Sequence, residues 1–323
     1  MPQLFRYERQ QKGRLREHFQ LNVDLFGAAD VAADAELVAC AVDIMRAFGL
    51  GSEDVVVRVS DRRILQAYLE SLGVPADAVP GVYGVIDKLE RQPAAVSAEK
   101  LASLGVPADA IDRIVTIADV GFDEISSRLA GTAAAPVVQE FGDFLRFVPA
   151  LLGGDESWLR LDLSIVRGLA YYTGIVFELF DRSGEFRAIC GGGRYDTLLQ
   201  SLGGVDLPAL GFGMGDVVLT ELLRDRRLLP SKSDGPQVWV ASESSHRQRD
   251  ARRAATALRR GGISVEYALR DQQLMKQVKA AKSAGAAWVL TLHDAPDDKA
   301  VGPHTWSPDP PPEWDRLLHD IGL

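Results

Sequence analysis

The sequence predicts an α/β protein: an antiparallel sheet with helices and a helical insertion, followed by a smaller α/β domain. Two stretches rich in strand formers fold back across polar turns, at 4–26 and 173–190. Residues from about 61 to 153 carry mainly the 3.6-residue period of helices. A polar linker at 229–235 separates residues 1–228 from residues 236–323, where strands alternate with helices. The length of 323 residues suits these two domains.

Composition and charge exclude several classes of protein. No apolar run reaches membrane-spanning length and no segment resembles a signal peptide, so a cytoplasmic location is expected. Cys40 and Cys190 lie far apart and the five histidines form no HExxH pattern. Neither a disulfide framework nor a protein-bound metal is therefore expected. The net charge of −9 argues against a general nucleic-acid coat but allows a local basic face.

The N-terminal elements begin with a predicted hairpin. Residues 4–9 and 19–26 both alternate between apolar and polar side chains. Gln20, Asn22 and Asp24 therefore share one face of the second strand. From the residues alone, a solvent-exposed sheet face explains this pattern best. The following elements are a helix at 34–48 ended by Gly49, a strand at 54–59, the helical insertion, and a strand at 159–166 that leads into Arg167.

The stretch from Arg167 to Asp196 has the strongest pattern. Residues 173–180 and 185–190 are predicted strands around a polar turn, and residues 191–193 are three consecutive glycines. The hairpin is expected to bring together Arg167, Tyr171, Tyr172, Arg194 and Tyr195. The stretch fits either a concave site with two guanidiniums, several phenols and bare backbone, or a core hairpin with a satisfied arginine.

Residues 208–216 form a glycine-rich segment that enters a predicted helix at 217–224. Their spacing lacks the third glycine of GxGxxG, and GxxxxGK[ST] does not occur, so no nucleotide fingerprint is present. The helix N-terminus still offers N–H groups and a positive dipole end to a ligand. The remaining predictions are strands at 237–241, 263–267 and 286–292, helices at 246–260, 271–283 and 313–321, and irregular chain at 293–312.

Several motifs together resemble those of histidyl-tRNA synthetase, a class II aminoacyl-tRNA synthetase. Residues 167–172 (RGLAYY) and 190–196 (CGGGRYD) are similar to the two histidine-specific signatures. Residues 5–26 resemble class II motif 2, and residues 208–222 resemble motif 3. The segment from Gln237 resembles the anticodon-binding domain, so the match covers nearly the whole chain. The resemblance implies a class II synthetase-type antiparallel sheet with a C-terminal α/β anticodon-binding domain.

The resemblance also implies a role for each matching residue. Arg6 and Arg167 would be the catalytic residues, with Arg6 on the α-phosphate of ATP and Arg167 at the reacting carboxylate. Glu8 would lie near the adenine. Gln20 and Asp24 would hold the amino group of L-histidine, which makes the polar strand face a pocket floor. The residues that would line the imidazole pocket are Tyr171, Tyr172 and Tyr195.

The implied reaction is activation of L-histidine by ATP, as its Mg²⁺ complex, and transfer to the 3′ end of tRNA(His). Attack of a carboxylate on an α-phosphate brings two anions together, and forked guanidiniums can hold both of them. No tightly bound cofactor is implied, and a homodimer is expected for the family. The residues that would contact tRNA phosphates are Arg252, Arg253, Lys276 and Lys279. A solvated helix face is the alternative for each of them.

Three departures from the family pattern stand out. Motif 1, which forms much of the family's dimer interface, is not found before motif 2. The chain is therefore expected to be truncated at its N-terminus, and to fold poorly or fail to dimerise. Val218 stands where motif 3 usually has an arginine, and Ala170 where an aspartate is usual. Two alternatives follow: a synthetase-like regulatory subunit of ATP phosphoribosyltransferase, and an inactive fragment that binds tRNA or a partner.

Overall fold

The computed structural model describes residues 1–7, 15–166, 171–229, 235–296 and 304–323. The chain divides into two compact units, Met1–Leu229 and Pro230–Leu323. Among the described helices, none is both long enough and apolar enough to cross a bilayer.

The first unit is organised around a sheet with the strand order β1-β2-β7-β6-β5-β3-β4. Its strands are β1 (Gln3–Phe5), β2 (Glu17–Phe26), β3 (Val55–Asp61), β4 (Leu159–Leu161), β5 (Ile175–Asp181), β6 (Cys190–Arg194) and β7 (Ala209–Gly215). Every neighbouring pair is antiparallel except β3 and β4. The predicted antiparallel sheet is therefore confirmed.

Helices cover one face of this sheet and form the insertion. Asp30 caps the first helix by accepting a hydrogen bond from the N–H of Ala32 at 2.8 Å, and Gly49 follows its end with φ +82°. The helices are α1 (Val31–Ala47), α2 (Arg62–Ser71), α3 (Val79–Ile86), α4 (Ala94–Ser103), α5 (Ala108–Val115), α6 (Phe122–Leu129), α7 (Ala135–Leu151), α8 (Leu198–Ser201) and α9 (Asp216–Asp225). The main core joins α1 and the insertion to the inner face of the sheet.

Two strand predictions were too long, and in each case hydrogen bonds to an aspartate hold part of the predicted strand in a loop. The strand predicted at 159–166 stops at Leu161, and the Asp162 carboxylate then accepts hydrogen bonds from the N–H and hydroxyl of Ser164. The return strand predicted at 185–190 begins only at Cys190. The Asp181 carboxylate accepts from the N–H groups of Glu185 and Phe186 at 2.9 Å each, which holds that segment in a loop.

The second unit contains a mixed sheet with the order β11-β10-β8-β9. Its elements are β8 (Val238–Ser242), α10 (Gln248–Arg260), β9 (Val265–Tyr267), α11 (Leu274–Ser283), β10 (Trp288–Leu292), β11 (His304–Ser307) and α12 (Pro312–His319). The strands β8, β9 and β10 are parallel, and β11 runs antiparallel to β10. The chain leaves β8 towards β9 and then crosses back to β10, so right-handed crossovers put α10 and α11 on opposite faces. Core contacts agree, since α10 packs with Val238 and Val240 while α11 packs with Trp239 and Ala241.

The strand β11 lies within the segment predicted to be irregular. Its four residues alternate, and Trp306 packs against the second core while the His304 ring lies 3.0 Å from the Asp315 carboxylate. Four residues between proline-rich stretches are too short to show a period, so the pairing with β10 could not be read from the sequence.

The glycines of β6 allow the neighbouring strands to pack closely against it. Gly192 and Gly193 are buried in the middle of the strand. A Cβ on Gly192 would lie 2.6 Å from Phe212 Cβ and against the carbonyl of Gly211. A Cβ on Gly193 would lie 2.5 Å from the carbonyl oxygen of Ile175. Backbone atoms cannot move aside without breaking the ladder, so only glycine fits at both positions.

We expect Gly192→Ala to lower the free energy of unfolding by about 1–3 kcal/mol, because the added methyl group overpacks the strand pair. Gly84→Ala is the matched control, since Gly84 lies in α3 with open space around its Cβ position. There alanine should stabilise by about 0.5–1 kcal/mol. Urea unfolding followed by circular dichroism measures both, and equal midpoints for the two variants would contradict the packing argument.

Arg194 ties the end of β6 to the start of α1. Its guanidinium donates hydrogen bonds to the Asp34 carboxylate at 2.5–3.1 Å and to the carbonyl of Ala28 at 3.0 Å. Both side chains of this ion pair are at least nine-tenths buried. Burial raises the pKa of Asp34 to about 6, although the hydrogen bonds from Arg194 act in the opposite direction. Of the two interpretations that the sequence left open for this stretch, the satisfied arginine of a core hairpin is therefore the one that Arg194 follows.

We expect Arg194→Met to lower the free energy of unfolding by about 3–5 kcal/mol, because it leaves the buried Asp34 without its partner. Arg146→Met removes an exposed pair with Asp143 and should change it by at most about 1 kcal/mol. Chemical unfolding of both variants provides the comparison. If the two losses were the same, the buried pair would not anchor α1 to β6.

Candidate functional site

A cavity of about 1110 Å³ opens on the face of the first sheet that turns away from the main core. Strands β2, β5, β6 and β7 contribute to its lining, together with the start of α9. Small-molecule sites usually measure about 300–1,000 Å³. The cavity is therefore large enough for two small substrates at once.

The floor of the cavity is made of β2 side chains that lie over β7 glycines. Asp24 pairs with Gly211, and Asn22 pairs with Gly213. A Cβ on Gly213 would lie 2.6 Å from the amide nitrogen of Gln20, and a Cβ on Gly211 would meet the Asp24 carboxylate. The polar face of β2 therefore lines a cavity. The alternation alone favoured solvent exposure for this face, whereas the family resemblance implied a pocket floor.

Hydrogen bonds fix the orientation of these floor residues. The amide nitrogen of Gln20 donates to Asn22 Oδ1 at 2.5 Å, so the Gln20 carbonyl oxygen is the end left to accept from a ligand. The hydroxyl of Tyr195 donates to the Asp24 carboxylate. Burial and the adjacent carboxylate raise the pKa of Tyr195, which keeps the phenol protonated as a donor.

Three tyrosines form one wall beside Asp24. The ring centroids of Tyr171 and Tyr172 are 4.6 Å apart, and Tyr195 lies 5.8 Å and 6.5 Å from them. Tyr172 and Tyr195 are buried. The predicted meeting of the two ends of the hairpin is therefore observed for the tyrosines. Arg167, the other residue expected there, lies outside the described residues.

Arg6 and His18 stand on the same face of the hairpin as Gln20. The Arg6 Nη2 atom lies 2.8 Å from His18 Nε2. Beside them, Val217 and Val218 line the cavity from the first turn of α9. Glu8 lies outside the described residues. The alternation of β2 puts His18 in line with Gln20, Asn22 and Asp24. The period that placed those three residues on one face would also have found His18 if the predicted strand had begun before residue 19.

The cavity also reaches the helical insertion. Glu90 of the insertion pairs with Arg58 of β3, whose guanidinium lies 4.4 Å from the centre of the Phe180 ring. Glu178 and Arg187 contribute further charges to the lining. These residues are brought in by strand register and by a distant segment, so no sequence motif marked them. Across the described ranges, no group of three or more metal-ligating side chains is found.

The four basic residues singled out in the second unit do not form one surface. Arg252 and Arg253 are exposed on α10, whereas Lys276 and Lys279 are exposed on α11. These helices cover opposite faces of the sheet. Arg253 is paired with Asp250, while no carboxylate within the described part of the chain lies within 4 Å of either lysine.

Comparison with known proteins gives a consistent assignment. The family model described as histidyl-tRNA synthetase matches residues 1–216. The chain is 41% identical over 287 residues to the chloroplastic/mitochondrial histidine–tRNA ligase of Arabidopsis thaliana. The matched region covers 88% of this chain and 58% of that protein. It is 38% identical over 303 residues to the histidine–tRNA ligase of Opitutus terrae, covering 92% and 68%.

Solved structures share the fold. The crystal structure of histidyl-tRNA synthetase from Nostoc sp. PCC 7120 superposes with a TM-score of 0.80 at 23% identity, covering 99% of this chain and 77% of that one. An ATP phosphoribosyltransferase regulatory subunit/histidyl-tRNA synthetase from Bacillus halodurans superposes with a TM-score of 0.68 at 20% identity, covering 88% and 70%. The family model and the relatives together show that the chain belongs to the histidyl-tRNA synthetase family.

Proposed function

We propose that this chain carries the activity of a histidine–tRNA ligase, with a catalytic first unit and an anticodon-binding second unit. The observation that carries the proposal is the order of charges along one strand face. An arginine and a histidine stand at one end, the amide of Gln20 follows, and a carboxylate hydrogen-bonded to a phenol stands at the other end. Asp24 lies six positions after His18, which is about 20 Å along a strand. An aminoacyl-adenylate has the complementary order of charges, with an anionic phosphate to face the arginine and a cationic amino group to face the carboxylate.

The amino-acid end of the cavity fits L-histidine. The Asp24 carboxylate and the Gln20 carbonyl oxygen both accept, so together they suit a protonated amino group. The three tyrosines form a largely buried wall for the imidazole ring. We propose that buried polar groups beside this wall discriminate histidine from apolar amino acids, which would leave those groups unpaired.

The opposite end suits the phosphates of ATP. The Arg6 guanidinium can fork onto two phosphate oxygens, and Arg167 would hold the reacting carboxylate. Mg²⁺ would be bound together with ATP, and such an ion needs only one or two protein carboxylates in addition to the phosphates. Glu178, which lines the cavity, could supply one of them. Positioning two anions in line is worth several kcal/mol of barrier, and no enzyme nucleophile is needed for it. The family pattern also leads us to propose a homodimer, and light scattering would test this by measuring the molar mass in solution.

We expect Asp24→Asn to raise the KM for L-histidine about tenfold or more in the ATP–pyrophosphate exchange reaction, with little change in the KM for ATP. The reason is that an amide loses the charge-assisted bond to the ammonium group. Asp77→Asn, at an exposed position of the insertion, is the matched control. Arg167→Ala should abolish exchange.

The same assay separates the two proposed functions. Exchange that depends on L-histidine supports the ligase. Binding of L-histidine without exchange, together with binding to the catalytic subunit of ATP phosphoribosyltransferase, would instead support the regulatory function.

We further propose that the α11 lysines contact the tRNA, because they project from their helix without an ion-pair partner among the described residues. Lys276→Gln combined with Lys279→Gln should weaken tRNA(His) binding about tenfold at low salt, and less at high salt. Arg252→Gln combined with Arg253→Gln removes the same charge from the opposite face and should have little effect. Filter binding at several salt concentrations measures both, and the reverse result would assign the RNA to α10.

A further inference from the structure

His18 is a buried histidine that the implied chemistry leaves without a role. It is 6% exposed and lies one strand away from Arg6. In the β1–β2 pairing Leu4 faces His18, so Arg6 is its diagonal neighbour on the same face. The 2.8 Å contact between Arg6 Nη2 and His18 Nε2 is therefore built into the register of the hairpin.

The partner determines the state of the imidazole ring. A guanidinium has donors but no acceptor, so Arg6 must donate and His18 Nε2 must accept. The ring is therefore neutral and carries its proton on Nδ1. That atom is buried and has no hydrogen-bond partner among the residues that the structure describes. A buried donor without a partner costs about 1–3 kcal/mol. The contact between Arg6 and His18 is therefore kept although it leaves the Nδ1–H group of His18 without a partner.

The start of α9 holds the ring in place. The N–H of Phe19, the next residue along β2, donates to Asp216 Oδ1 at 3.1 Å. His18 Cδ2 lies 4.0 Å from the Cβ position of Gly215, the residue immediately before the helix. The imidazole is thus confined between the hairpin and the helix terminus, and it presents a fixed acceptor to a long and flexible arginine.

We propose that His18 is a positioning residue that orients the Arg6 guanidinium for the phosphates of ATP. This inference rests on the proposed function, because it assigns Arg6 to ATP. A long arginine side chain loses rotamer freedom when it binds a ligand, and an acceptor that holds it beforehand reduces that loss. His18 Nε2 supplies this acceptor without adding a negative charge near the phosphates, which a carboxylate in its place would do.

The first test is a double-mutant cycle on MgATP binding, measured by titration calorimetry. His18→Phe keeps an aromatic ring but removes the acceptor, and should weaken binding about tenfold. Arg6→Ala should weaken it by at least as much, and the two losses should not add in the double variant. His18→Gln, which offers an amide oxygen in place of Nε2, should restore part of the affinity. His246→Phe, at an exposed site of the second unit, is the control.

The possible outcomes separate the two claims. If the unaltered chain does not bind MgATP, the proposed function and this inference are both overturned. If Arg6→Ala weakens binding but His18→Phe does not, or if the losses add, the inference alone is overturned. Should His18→Phe fail to fold, ¹⁵N NMR of the imidazole still decides. We expect the Nδ1–H tautomer in the unaltered protein and its loss in Arg6→Ala. An Nε2–H tautomer in the unaltered protein would contradict the inference.

Discussion

The absence of side chains from one face of β7 is the constraint on which the candidate site depends. Leu210, Phe212 and Met214 point into the main core, so the strand is held firmly from below. The alternate positions are glycines, and the side chains of β2 lean across them. A single strand therefore anchors the sheet and leaves room for the polar floor. A Cβ on Gly211 or Gly213 would push the floor residues away from the positions in which they hydrogen-bond.

The same logic explains which parts of the site could be predicted from sequence. Strict alternation placed Gln20 and Asp24 on one face, because a strand has only two faces. The hairpin placed the tyrosines together, because pairing returns the chain to its starting point. Neither argument could show that the face is covered. That depends on the insertion and on α9, which come from distant parts of the chain. From the alternation alone a solvent-exposed face was therefore the better interpretation, and only the family resemblance indicated a pocket floor.

The errors have an equally physical origin. Three glycines in a row have low strand propensity, yet a buried strand between two others needs only backbone groups to pair, and β6 is such a strand. For Arg194, which adjoins Tyr195, the sequence left open whether the guanidinium faces a ligand or is satisfied within the core. Its actual partner, Asp34, lies 160 residues earlier in the chain, and no local pattern signals that contact. The two basic helices of the second unit are neighbours in sequence, but the crossover order puts them on opposite faces of the sheet, which their composition cannot show.

The residues at the end of β6 link the stability of the first unit to the geometry of the candidate site. Arg194 and Tyr195 are consecutive, so their side chains leave opposite faces of the sheet. One enters the buried ion pair that anchors α1, and the other donates to Asp24 in the cavity. The position of the phenol is therefore set by the same backbone that the ion pair holds. A change in the anchoring of α1 is therefore expected to shift Tyr195, so residues remote from the cavity can alter this end of its lining. The Arg6 end lacks this support, since β1 pairs only with β2 within the described chain. That difference is the structural reason for an acceptor such as His18 to hold the arginine in place.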